Sequence, residues 1–60
     1  MKKKVKEGDL IESKETGDII YVEGEINSKD NYFPVHQPQM SYYLHRRDLK
    51  NYNYITNIYN

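Results

Sequence analysis

Sixty residues without a cysteine bound this chain to one domain at most, and exclude disulfides, zinc–thiolate sites and cysteine nucleophiles. Nine acids balance nine bases, so the formal net charge is zero, which argues against a protein that binds by neutralising phosphates. No apolar run of about seven residues follows the basic start MKKKVKEGDLI, and none approaches the ~20 that span a bilayer, so a secretory signal and a membrane helix are both excluded and a soluble, cytoplasmic protein is expected.

In chain order, residues 1–7 read as a flexible basic lead-in to a single domain, 1–60, whose folded part is expected over 8–57. Lys2, Lys3, Lys4 and Lys6 have the chemistry for phosphate or headgroup contacts, but a solvated tail partly offset by Glu7 and Asp9 is the plainer reading. DLIES (9–13) is a short extended run. KETGD (14–18) is a turn, with Gly17 free to take positive φ and Asp18 able to bond its own backbone. IIYVEGEI (19–26) is the clearest strand, rich in β-branched and aromatic residues. Alternation puts Ile20, Val22 and Ile26 on one face, with Ile19, Tyr21 and Glu23 on the other. Gly24 marks a bulge or bend.

NSKDN (27–31) is the second turn. YFPVHQ (32–37) is a third strand, in which Pro34 lacks an N–H and is expected at an edge or bulge. PQM (38–40) interrupts it, and SYYLHR (41–46) is the fourth strand. RDLKN (47–51) fits a single 3₁₀ turn. YNYITNIY (52–59) reads as a fifth strand or a short terminal helix. Nowhere do apolar residues keep a helical period beyond two turns.

Five short strands joined by tight polar turns predict an all-β fold, a small barrel whose closure would leave no free edges. The expected core is Leu10, Ile20, Val22, Ile26, Phe33, Val35, Leu44, Leu49 and Ile55. A chain of this length buries only about 60% of its unfolded surface, so stability should be modest.

VKEGDLIES, the turn at Gly17 and the strand IIYVEGEI resemble the first hairpin of SH3-like barrels, including KOW-type and small bacterial SH3-like domains. YYLHRRDL resembles the part of such domains where a strand runs into a 3₁₀ turn carrying Asp-Leu, ahead of the last strand. The resemblance spans about residues 5–56 and implies a five-stranded SH3-like barrel with a 3₁₀ turn before its final strand. The second KOW glycine has no counterpart, so RNA or ribosome binding in the KOW manner is not implied. The fold hosts many functions.

Function therefore rests on the side chains. His36 and His45 are the only imidazoles, and neither stands in a triad order or a metal-ligand spacing. Pro38 prevents a regular helix from setting His36 beside Met40. Glu12, Glu15, Glu23 and Glu25 read as solubilising charges. No catalysis, cofactor or metal is expected.

The charge distribution is less even than its sum. Residues 1–30 carry eight acids and six bases, net −2, whereas 31–60 carry one acid, Asp48, and three bases, net +2. Seven of the eight aromatics lie in that second half. Tyr and Arg are enriched at interface hot spots. Tyr43, His45, Arg46, Arg47 and Tyr52, with Tyr32 at the rim, are the expected contact surface. Tyr43 and Tyr52 would anchor it, and the two arginines would offer forked donors. In a regular strand Tyr42 points inward with Leu44, while Tyr43 points outward with His45. A protein partner is expected, a homo-oligomer being one form of it. A small barrel stacking bases of single-stranded DNA or RNA is the alternative. Lys, Asn, Ile and Tyr supply 26 of the residues; their AT-rich codons point to a low-GC bacterium, or to a phage or mobile element that modulates its host.

Overall fold

Residues 4–25 and 31–60 are described in a computed structural model. Five antiparallel strands form one sheet: β1 (Asp9–Ser13), β2 (Ile19–Val22), β3 (Tyr32–Gln37), β4 (Met40–His45) and β5 (Tyr52–Asn57). A 3₁₀ helix, Arg46–Asn51, joins β4 to β5. The spatial order is β4-β3-β2-β1-β5, so consecutive strands pair as hairpins and the last strand returns beside the first. The expected all-β architecture, with a 3₁₀ piece ahead of the final strand, is what forms. The expected closure is not. β4 and β5 are the two edges of an open sheet, linked in sequence by the 3₁₀ helix. Among the described residues no helix is long and apolar enough to cross a membrane.

The core is Val5, Ile11, Ile20, Val22, Phe33, Val35 and Leu49, with Tyr42, Leu44 and Tyr52 packed against it half-buried. Most of this follows from period-two geometry: Ile20 pairs with Ile11 and Val22 with Val35, each inward. Leu10 corrects the expectation. It pairs with Tyr21 and with Thr56 on the opposite face, and Ile11 takes the inward place. Because DLIES offers Leu and Ile side by side, alternation fits either parity. Ile55 corrects it again. Leu10 faces Thr56 but Ile11 faces Tyr54, so Ile55 is the extra residue of a bulge and stands 44% exposed. Val5, in the segment read as a solvated lead-in, is fully buried. Ile26, residues 27–30 of the second turn, and Lys2 and Lys3 lie outside the described residues.

Pro34 sits in an inner strand, not at an edge. Its carbonyl accepts the Glu23 N–H at 2.9 Å, so its nitrogen faces the same side, just where β2 has ended. The proline cannot return a bond to Glu23, and the β2–β3 ladder ends there, at Val22 with Val35. Gly24 bends there, and a Cβ on it would lie 3.3 Å from the proline Cγ. The glycine makes room for the ring.

Asp9 and Asn57 are buried polar residues that tie the two ends of the described chain together. The Asn57 side-chain amide donates to Asp9 Oδ1 at 2.8 Å and to the Glu7 carbonyl at 3.0 Å. The Lys6 N–H donates to Asp9 Oδ2 at 3.0 Å, and the Tyr59 N–H to Asn57 Oδ1 at 2.8 Å. Both side chains are thus hydrogen-bonded, as burial requires.

Candidate functional site

The β3–β4 hairpin is the longest paired stretch, six register pairs joined by a tight turn. Its alternation sorts the side chains cleanly. Phe33, Val35, Tyr42 and Leu44 face the core. Tyr32 pairs with His45, Pro34 with Tyr43 and His36 with Ser41, all on the outer face. Tyr42 inward and Tyr43 outward is the division the sequence predicts, and Tyr43 is 70% exposed.

The Tyr32 and His45 rings meet edge to face, centroids 4.9 Å apart at 85°, an arrangement that matches ring edge to ring face. His45 is also the N-cap of the 3₁₀ helix. Its backbone is extended and its Nδ1 accepts the Arg47 N–H at 3.1 Å. With Nδ1 occupied as an acceptor, the neutral ring carries its proton on Nε2. Two contacts therefore hold this imidazole, one from each flanking element. Arg46 is placed by its own N–H, which donates to the Asn31 carbonyl at 2.8 Å. Asn31 itself takes φ 61°, the left-handed region that asparagine tolerates. Arg47 is exposed, and its guanidinium makes no hydrogen bond or ion pair among the described residues.

Tyr32, Tyr43 and His45 thus share one face, and Arg46 and Arg47 follow directly at its end. Tyr52 does not join them. It is half-buried against the core, its N–H donates to the Leu49 carbonyl as the cap of the 3₁₀ helix, and it pairs with Ser13. Its hydroxyl is pushed up in pKa by burial first and by Asp48 and Asp18 after that. Tyr42 is raised for the same leading reason, and its hydroxyl donates to Gln37 Oε1 at 3.1 Å. These two tyrosines belong to the inner side.

Two residues extend the outer face beyond the sequence reading. His36 Nδ1 lies 2.9 Å from Ser41 Oγ and 4.0 Å from Glu23 Oε1. Tyr21, paired with His36 from β2, has its hydroxyl 3.2 Å from that of Tyr59. The spacing Tyr32, Pro34, His36 carries the first of these in the sequence. Nothing local announces the second, because Tyr59 comes from the far end of the chain. A cavity of about 360 Å³, lined by Asp18, Gln37, Pro38, Gln39 and Met40, opens where the β1–β2 turn approaches the β3–β4 turn. Among the described residues no three His, Asp or Glu side chains converge as metal ligands would.

No family model matches this chain, and no curated protein or solved structure is significantly similar to it.

Proposed function

We propose that this chain is a non-catalytic binding module that recognises a protein partner through the outer face of the β3–β4 hairpin. The observation that carries the reading is Tyr43. A large aromatic 70% exposed on a paired strand, beside a fixed Tyr32–His45 ring pair, is poised to lose its water to a partner. Arg46 and Arg47 add forked donors at the end of that face. The meander order, and the 3₁₀ helix ahead of β5, support an SH3-like architecture for the scaffold. A platform for single-stranded nucleic acid is the second reading, favoured only by the same ring-and-arginine set.

The test is capture of partners from a lysate of the source cells, with Tyr43→Ala as the control. A dominant protein lost on that substitution, with the circular-dichroism spectrum unchanged, supports the reading; an identical profile removes Tyr43 from the site. A parallel titration with short single-stranded DNA and RNA at two salt concentrations decides the alternative. Binding that falls steeply with salt and vanishes in the Arg46→Ala, Arg47→Ala double variant would transfer the function to nucleic acid.

A further inference from the structure

The hairpin's register also fixes what β4 leaves unpaired. Beyond the strand end the Arg46 N–H bonds to Asn31. Alternation then turns the backbone of Met40, Tyr42 and Leu44 toward β3, and that of Ser41, Tyr43 and His45 away from it. Among the described residues, nothing bonds the outward N–H and C=O of Ser41 and Tyr43 or the N–H of His45.

Sheet edges are normally protected by a charge, a proline or a bulge. β4, MSYYLH, has no Lys, Arg, Asp, Glu or Pro, and its register is unbroken. Its flanks, by contrast, carry opposite charges. At the C-terminal end stands Arg47, without a side-chain partner among the described residues. At the N-terminal end the cavity beside the Gln37–Met40 turn is lined by Asp18, whose side chain accepts, among the described residues, only the Thr16 hydroxyl, at 2.9 Å.

We infer that β4 is the contact of a symmetric dimer, in which a second copy of this chain adds its own β4 antiparallel at the edge. A two-fold axis through Tyr43 lets the two Tyr43 residues exchange both backbone bonds, and pairs Ser41 of each copy with His45 of the other, about four bonds in all. The antiparallel direction brings the C-terminal end of one β4, which Arg47 follows, to the N-terminal end of the other, where Asp18 lines the cavity, twice over. One strand of contact buries less than the ~1,200 Å² of a standard interface, so the pairing is weak, in roughly the high micromolar range. The two exposed Tyr43 faces then lie side by side on one continuous sheet. The dimer goes beyond the partner-binding reading and does not depend on it.

Sedimentation equilibrium between about 10 μM and 1 mM tests it, since a weak interface dissociates within that range. The mass should rise from 7.2 kDa toward twice that value. Ser41→Pro puts a ring where the outward N–H pointed, in the path of the second β4, and breaks no backbone bond to β3, only the exposed Ser41–His36 side-chain contact, so it should stay monomeric with an unchanged far-UV spectrum. Arg47→Glu should weaken pairing about tenfold at low salt, and adding Asp18→Lys should restore most of it. A wild-type chain still monomeric at the highest concentration overturns the dimer, whether or not the edge takes up another protein's strand. So does a folded Ser41→Pro that pairs undiminished. If Ser41→Pro unfolds, Arg47→Glu decides, and unchanged pairing there overturns it. Tyr43→Ala keeps its backbone groups, so it should abolish partner capture while leaving self-association within a few fold; the two ideas therefore fail separately.

Discussion

Gly8 sits at φ +92°, and a Cβ there would lie 2.4 Å from Tyr59 Cδ2. Gly17 sits at φ +80° with nothing within 4 Å. The pair separates backbone strain from collision. Gly17→Ala should cost about 1 kcal/mol in urea unfolding, the left-handed penalty alone. Gly8→Ala should cost several times more, and should fall back toward the Gly17 value when Tyr59→Ala removes the ring. The Tyr59 hydroxyl also acts on Tyr21. Its hydrogen bond, then burial and the charges of Glu7 and Glu23, push the Tyr21 pKa up to about 12. A raised tyrosine pKa means that the neutral form is favoured in the fold. The stabilisation is whole below about pH 10, the unfolded value, and is lost as pH climbs from there through 12. Absorbance at 295 nm should show Tyr21 among the late-titrating tyrosines, with the raised Tyr42 and Tyr52, and Tyr59→Phe should bring Tyr21 alone back toward its ordinary range.

At the scale of the element, the bulge in β5 reverses an expectation that strict alternation creates. Ile55→Thr should change stability by less than about 0.5 kcal/mol, because the bulge already holds that side chain in water. Ile11→Ala, by contrast, should cost about 2–5 kcal/mol by thermal or urea unfolding, since its side chain is enclosed by the sheet's inner face. Strand spans were legible because Val, Ile and Tyr cluster between turn residues. DLIES and YFPVHQ form strands over the very residues that composition marks. Parity was legible only where one apolar face is unambiguous, as in IIYV. It failed at Leu10, where two apolar residues adjoin, and at Ile55, where a register shift is made by pairing with β1 and leaves no local mark. Pro34 shows the same limit: that it falls in an inner strand, at the end of the β2–β3 ladder, is decided by which strands pair. On the candidate surface, Tyr43 and His45 could be placed by alternation, one residue either side of the inward Leu44. Tyr52 could not, because the 3₁₀ helix between it and β4 sends it to the other side of the sheet.

At the scale of the whole molecule, the sheet is thinnest between β2 and β3, where two register pairs, Tyr21 with His36 and Val22 with Val35, join the hairpin to the other three strands. Backbone bonding alone would let the molecule open there as two pieces. The core opposes that division. Phe33 and Val35 enter it from the hairpin, while Val5, Ile11, Ile20 and Val22 enter it from the other side. Neither set has another apolar face to cover it, so each piece loses its burial when the other leaves. Unfolding should therefore be a single cooperative transition despite the narrow joint. Phe33→Ala tests this most directly, since the ring is the largest fully buried side chain. The substitution should cost about 3–5 kcal/mol, comparable to the entire stability of a domain this small. Amide exchange should then accelerate together in β1, β2 and β5 as well as in the hairpin that carries the mutation. Strands β1, β2 and β5 retaining their protection while β3 and β4 exchange freely would mean that the joint, not the shared core, governs how the molecule comes apart.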